Sequence, residues 1–203
     1  LHAMATNDAI AMAEAMGGPV DFIGHSFGGT VALRVALERP DLVRSLALVE
    51  PVIFAAARSG HAATYQAFRA GHLDFAGLVA AGDFAGAAAQ FHGHRGTGEG
   101  FADLPDRTRD YMIRRIPLIV AQNPVLLDDA AGMLRPGGLE AVQVPVLLIE
   151  GAESPAIIAA VHEALAARLP KGTRLVGPGA AHMVSITHAG VVAEAVQAHL
   201  DGC

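Results

Sequence analysis

Residues 24–28 read G-H-S-F-G, and this segment constrains the fold of the chain more than any other. It follows a short apolar run, residues 20–23, and leads into a helix-like stretch, residues 30–39. A serine on a sharp strand-to-helix turn has a strained backbone, so its hydroxyl projects clear of the sheet. Glycine-flanked serines recur by chance in a chain with 23 glycines, so the flanking strand and helix carry the argument. The segment predicts a nucleophile elbow with Ser26 as the nucleophile.

Two further segments supply a carboxylate and an imidazole. A second apolar run, residues 46–49, ends at Glu50, and the carboxyl ends of parallel strands are where catalytic groups gather. Residues 179–182 close a strand-like segment before another helical stretch, which makes His182 the candidate general base. His188 is the rival base, but it starts the final helix instead of ending the strand-loop segment. The chain order is serine, acid, histidine.

With these pieces the chain resembles an α/β-hydrolase-fold protein. The matching segments are the elbow, the run 43–52, the strand-like stretch 144–151 and the histidine loop 178–188. The resemblance implies a mostly parallel sheet flanked by helices, with an inserted helical cap. It also implies a serine hydrolase with a Ser-His-Glu triad and no cofactor.

The position of the acid departs from the commonest pattern of that family. Members commonly carry an aspartate three residues after the glycine that ends the strand resembling residues 146–151, and here that position is Ser154. Other members place the acid at the end of the strand that follows the elbow helix, where Glu50 stands. Glu153, one residue out of register, is the alternative acid. The resemblance therefore favours Glu50 over Glu153 as the partner of His182.

The resemblance also implies an oxyanion hole and a substrate pocket. The backbone N–H of Phe27, next after the nucleophile, is expected to donate to the oxyanion. In the family the second donor comes from a loop upstream of the elbow, and only residues 1–19 precede the elbow strand here. The substrate pocket is expected to include His25, Phe54 and Met183.

The chain is expected to start in the middle of the fold, so that the N-terminal part of the sheet is missing from it. Residues 5–16 predict a helix ended by the Gly-Gly-Pro at 17–19. The elbow strand, central in the sheet of the family, would then be an unpaired edge. Self-association, or pairing with a second chain through this open sheet edge, is a consequence.

The expected organisation is core, insertion, core. Residues 1–51 form the first part of the hydrolase core, residues 52–139 the helical cap and residues 140–203 the second part of the core. The third segment holds a helix with Ser154 as its N-cap and Pro155 in its first turn, then the strand 173–176 and a last helix, 191–200. A cap of this kind covers the nucleophile and selects the substrate. Its aromatic residues, each expected mainly to pack, are Tyr65, Phe68, Phe75, Phe84 and Phe91.

Charge and composition argue against several classes of protein. The net charge is -6 and the arginines are scattered, so no nucleic-acid partner is expected. No apolar stretch approaches the roughly 18 residues of a membrane span, and no signal-peptide pattern opens the chain. With a single cysteine, Cys203, a cytoplasmic location is the default. His92-Gly93-His94 lacks a cysteine or carboxylate partner at zinc-like spacing, so no metal is expected.

The favoured function is hydrolysis of a small carboxylic ester, thioester or lactone through an acyl-enzyme. Hydrolysis of a carbon–carbon bond with the same triad is the enzymatic alternative. The non-enzymatic alternative is a binding protein, or an impaired fragment, that keeps the triad residues without a complete oxyanion hole. In each case the expected partner is a small molecule.

Overall fold

The structure is a computed structural model that describes residues 1–93 and 100–203. The described strands form one parallel sheet in the order β1-β2-β3-β4. Since all four strands run in the same direction, their carboxyl ends lie along one edge of the sheet, where ligands bind in open α/β folds. The strands are β1 Val20–His25, β2 Val43–Val49, β3 Val146–Gly151 and β4 Gly172–Gly177.

Helices connect the strands, and most of the described helices between β2 and β3 belong to the segment predicted as a cap. The boundaries of that segment, 52 and 139, stay a prediction. Among the described residues, none of the helices has the length and apolar character needed to cross a membrane. The described α-helices are α1 His2–Ala15, α2 Phe27–Glu38, α3 Ala62–Ala80, α4 Phe84–Gly93, α5 Asp106–Val120, α6 Asn123–Leu126, α7 Ala156–Ala166, α8 Val184–Thr187 and α9 Ala189–Asp201.

Both faces of the central strands are covered by helices. Along β2, Leu46 and Leu48 belong to the large core cluster that includes residues of α2 and α7, whereas Ala47 and Val49 pack in a second cluster with α9. Successive side chains of a strand point to opposite faces, so a strand buried on both sides must be apolar throughout. This double burial explains the uninterrupted apolar runs at β2 and β3.

Strand β1 lies at one edge of the sheet, as the sequence predicts. In the described part of the chain it pairs with β2, and its Ile23 stands opposite Ala47 in the register. Ala47 is covered by the cluster with α9, but Ile23 on the same face is 59% exposed. An edge strand offers unpaired backbone groups to another strand. Association through this edge remains an expectation.

Candidate active site

The elbow serine lies where β1 ends and α2 begins. Ser26 has φ 55° and ψ -120°, a conformation that L-residues seldom adopt and that costs about 1–3 kcal/mol. Its backbone N–H donates to the carbonyl of Val49 at 2.9 Å, which ties the turn to the end of β2. Its own carbonyl accepts from the N–H of Thr30 at 3.2 Å in the first turn of α2. The strained turn therefore holds the Ser26 hydroxyl at the carboxyl edge of the sheet.

The three glycines around Ser26 differ in how closely other backbone atoms approach them. A Cβ added to Gly24 would lie 2.5 Å from the carbonyl oxygen of Gly28, closer than any real contact. A Cβ on Gly29 would lie 3.0 Å from the carbonyl oxygen of Gly24. A Cβ on Gly28 would meet nothing within 4 Å. Close backbone passage thus requires Gly24 and constrains Gly29, whereas the side-chain position of Gly28 is open.

His182 links the serine to a carboxylate. Its Nε2 lies 3.2 Å from the Ser26 hydroxyl oxygen, and its Nδ1 lies 2.5 Å from Oε2 of Glu50. A carboxylate can only accept, so Nδ1 carries the proton that is donated to Glu50. In the neutral ring Nε2 is then the acceptor, facing the Ser26 hydroxyl. The structure brings the three predicted residues together with the tautomer that a general base needs.

Glu50 is completely buried directly after β2, with φ 46°. Its backbone N–H donates to the carbonyl of Ile149 at 2.8 Å, and its Oε1 accepts the backbone N–H of Gly151 at 2.8 Å. Burial alone would raise the pKa of Glu50, but hydrogen bonds from His182, Ser154 and Gly151 outweigh it and lower the pKa. Glu50 is therefore ionised at neutral pH although it is buried.

Ser154 was expected to cap the helix after β3, and that prediction is wrong. Helix α7 begins at Ala156, its N-cap is Pro155, and it has no side-chain cap. The Ser154 hydroxyl instead donates to Oε1 of Glu50. It had no predicted part in the site, although one signal was available: it stands where the family commonly has its acid. The Glu153 side chain is exposed, and its backbone N–H donates to a loop carbonyl at 2.8 Å.

The histidine loop is held against the end of β3 by close packing. A Cβ on Gly151 would lie 2.3 Å from the carbonyl oxygen of Ala180, so only glycine admits this approach. From the other side, Nε2 of His25 lies 2.9 Å from the carbonyl oxygen of His182 and must donate, because a carbonyl only accepts. His188, the rival base, has its Nδ1 2.9 Å from the hydroxyl of Thr187, the preceding residue.

A cavity of about 390 Å³ lies beside the serine and the histidine. Ser26 and His182 form part of its wall, together with the predicted pocket residues His25 and Phe54. Met183, also predicted there, precedes α8 and is not among the described residues that line the cavity. This volume falls within the roughly 300–1,000 Å³ of small-molecule sites.

The segment predicted as a cap contributes most of the aromatic wall. Phe68, Phe75 and Phe91 line the cavity, so three of the five aromatic residues expected mainly to pack face a space that a ligand could fill. Tyr65 does pack: it is buried, and its hydroxyl donates to a backbone carbonyl at 2.9 Å. Phe84 is 38% exposed at the start of α4.

Two further titratable side chains are buried close to the triad. Glu150, at the end of β3, is almost fully buried and forms an ion pair with Arg174 of β4. Burial raises the pKa of Glu150, although the ion pair opposes the shift. His162 of α7 is fully buried, and burial lowers its pKa to about 4, so the ring is neutral at physiological pH.

The described residues contain no group of three or more histidine, cysteine, aspartate or glutamate side chains arranged to hold a metal ion. His92, considered as part of a metal pair, is buried at the end of α4, and its ring centroid lies 5.9 Å from that of Phe101. His94 lies outside the described residues.

The sequence model of the α/β-hydrolase fold family matches residues 7–189 of the chain. The chain belongs to this family. The match covers most of the chain, including Ser26, Glu50 and His182. It confirms the predicted fold and the predicted class, a hydrolase of the α/β-hydrolase family.

Individual relatives agree with this family. The lipase LipV of Mycobacterium tuberculosis is 53% identical over 36 residues, which are 18% of this chain and 14% of that lipase. An esterase from Exiguobacterium antarcticum has a similar structure with a TM-score of 0.69 and 15% identity, covering 98% of this chain and 72% of the esterase. A carboxylesterase structure from Nitrososphaera gargenis gives a TM-score of 0.66 and 17% identity, covering 98% of this chain and 71% of that one. At such identities the two structures establish a common fold.

Proposed function

We propose that this chain is a serine hydrolase that cleaves a small carboxylic ester, thioester or lactone through an acyl-enzyme. Ser26 is the nucleophile, His182 the general base and Glu50 the acid that orients it. The observation that carries the proposal is the continuous chain of hydrogen bonds from Ser26 through His182 to Glu50, on the wall of an apolar cavity. The names of the relatives, a lipase and two esterases, support the same reaction class.

Acylation follows from the protonation states of the three groups. Nε2 of His182 takes the proton of the Ser26 hydroxyl while the serine oxygen forms a bond to the acyl carbon. The charge on the resulting imidazolium is stabilised by ionised Glu50, which also keeps the ring in place. When the tetrahedral intermediate collapses, the bond to the leaving group breaks and Nε2 returns its proton to the departing oxygen or sulfur.

Deacylation repeats the same steps with water. His182 removes a proton from a water molecule whose oxygen attacks the acyl carbon, and the Ser26 oxygen then leaves with that proton. In both halves the carbonyl oxygen becomes an oxyanion that needs preorganised donors. The backbone N–H of Phe27 is suited to this task, because the first N–H groups of a helix have no acceptor within the helix.

Labelling with a fluorophosphonate tests the nucleophile directly. We expect the wild-type chain to gain the mass of one phosphonyl group and the Ser26→Ala variant to gain none. The matched control is Ser59→Ala, which removes the hydroxyl of an exposed serine and should be labelled like the wild type. An unlabelled, folded wild type would favour the binding-protein alternative. Labelling without turnover of any ester or thioester would favour the carbon–carbon hydrolase.

The acid is tested by a pair of isosteric variants. Glu50→Gln keeps the shape but loses the charge that stabilises the imidazolium, and the matching change in a serine protease lowers kcat by on the order of 10⁴-fold. We expect a comparable loss on a p-nitrophenyl ester for Glu50→Gln. Glu153→Gln changes an exposed side chain and should keep the wild-type rate. A large loss in Glu153→Gln with Glu50→Gln unaffected would reverse the assignment.

A further inference from the structure

Five aromatic rings follow one another along the wall of the cavity. The centroid of Phe54 lies 4.3 Å from that of Phe68, which lies 5.7 Å from that of His72. The row continues over 5.4 Å to Phe75 and over 6.0 Å to Phe91. All five residues line the cavity. We call these five side chains the ring row.

The surroundings of the ring row are poor in polar groups. Apart from the residues at the elbow and histidine loop, the polar side chains among the described residues that line the cavity are His72 and Gln122. Nε2 of His72 lies 2.7 Å from Oδ1 of Asn123, so this ring is oriented by the cap itself. A substrate group that enters this space therefore exchanges water mainly for apolar and aromatic surface.

We propose that the ring row binds an aryl group of the substrate, so that the preferred substrates are aryl-substituted carboxylic esters. This proposal rests on the serine hydrolase function above and names its substrate class. Aromatic pairs prefer offset or edge-to-face contacts at centroid separations of about 4.5–7 Å, the range in which most rings of the row already meet each other. An aryl group of the substrate would be a sixth ring in the row. Each ring pair that it forms should favour its binding over that of a saturated ring by about two- to tenfold.

Gly71 is a suitable position for a substitution that fills part of the cavity beside the ring row. It lies on α3 between two members of the ring row and lines the cavity. A Cβ added to it would meet nothing within 4 Å, so a substituted side chain starts in open space beside the cavity. Gly77 on the same helix also has nothing within 4 Å of an added Cβ, but it is exposed and does not line the cavity. Gly71→Leu and Gly77→Leu are therefore a matched pair.

The substrate class is tested with pairs of esters that differ only in aromaticity. On the acyl side the pair is ethyl 3-phenylpropanoate and ethyl 3-cyclohexylpropanoate, and on the alcohol side 2-phenylethyl acetate and 2-cyclohexylethyl acetate. We expect kcat/KM to favour the aryl ester about two- to tenfold in at least one pair. Because the saturated rings are no smaller, a preference for the aryl ester cannot arise from a larger buried apolar area. The absence of a preference in both pairs would overturn the proposal.

The two leucine variants locate the effect. For the preferred aryl ester, Gly71→Leu should lower the ratio of its kcat/KM to that of ethyl acetate at least tenfold, whereas Gly77→Leu should keep the wild-type ratio. Equal ratios in both variants would also overturn the proposal. If Gly71→Leu does not fold, as judged by circular dichroism, the ester pairs on the wild type still decide.

Failure of the proposed function gives a different result. A wild type that hydrolyses none of these esters, ethyl acetate included, contradicts the hydrolase proposal. The ring row is then tested by calorimetric binding of the same ester pairs to Ser26→Ala. Tighter binding of the aryl member by the same factor supports an aryl site, and equal binding of both members overturns it.

Discussion

Removing the hydroxyl of Ser154 tests how the buried acid is held. Oε1 of Glu50 accepts two hydrogen bonds, from the Ser154 hydroxyl and from the Gly151 N–H, while Oε2 faces His182. Ser154→Ala leaves the N–H of Gly151 as the donor to Oε1. A hydrogen bond to a charged group contributes about 1.5–3 kcal/mol to stability. For a chain of this length, each kcal/mol shifts Tm by about 2–4 °C. We therefore expect Ser154→Ala to lower Tm at pH 7 by about 3–12 °C.

The same variant has a predicted dependence on pH. The folded-state pKa of Glu50 lies below its ordinary value of 4.5, so its ionised form stabilises the fold above that pH. This contribution is lost as the pH falls through the folded pKa. Loss of the Ser154 hydroxyl removes one of the bonds that lower the pKa, so the variant should lose the contribution at a higher pH than the wild type. The difference in Tm should be largest at neutral pH and should shrink well below pH 4.5.

Thermal unfolding followed by circular dichroism from pH 3 to pH 8 measures both effects. Ser59→Ala makes the same chemical change at an exposed site and should match the wild type throughout. Ser154→Thr keeps the hydroxyl and should restore most of the stability. Because Ser154 acts through Glu50, its alanine variant should also lower kcat with little change in KM. Equal Tm values for Ser154→Ala and Ser59→Ala at pH 7 would refute the assigned hydrogen bond.

Other variants test the steric and electrostatic features of the edge where the strands end. Gly24→Ala should unfold at a markedly lower Tm and escape fluorophosphonate labelling, since its Cβ would lie 2.5 Å from a backbone oxygen, whereas Gly28→Ala, with open space, should unfold near the wild-type Tm. Gly151→Ala should likewise destabilise the chain, because its Cβ would lie 2.3 Å from the carbonyl oxygen of Ala180. Burial raises the folded-state pKa of Glu150, so its ionisation costs stability as the pH rises through that pKa. Because glutamine stays neutral, Glu150→Gln should raise Tm at pH 8, and should raise it less at pH 4. A Tm gain that is equal at both pH values would contradict this cause.

The parts of the site that lie in local sequence were open to prediction. The elbow is a strand, a turn and a helix within about twenty residues, and the glycines inside that segment admit the close backbone passage around Ser26. Glu50 and His182 each follow a strand-like segment, and parallel strands end at one edge, so their meeting follows from the topology. The helix that follows the elbow begins at Phe27, three residues before the predicted stretch, because the strained turn leads directly into it.

The features that depend on contacts between distant segments could not be predicted from the local sequence. A serine before a proline, as at Ser154, is typical of a helix start. The neighbouring residues do not indicate that its hydroxyl donates a hydrogen bond to a carboxylate 104 residues earlier in the chain. The ring row is another case. Its members are spread from Phe54 to Phe91 across a short 3-10 helix and two α-helices. Whether an aromatic side chain packs or faces a cavity is decided by how those helices lie against each other.

The location of the acid directly after β2 also explains what the end of β3 does. A carboxylate buried after β2 needs donors to remain ionised; besides His182, these are the hydroxyl of Ser154, in the loop after β3, and the N–H of Gly151, at the end of β3. An aspartate in place of Ser154 would put a second negative charge against Glu50 and remove a donor. The small polar residue after β3 and the glutamate after β2 are therefore complementary: Glu50 carries the charge, and Ser154 and Gly151 stabilise it together with His182.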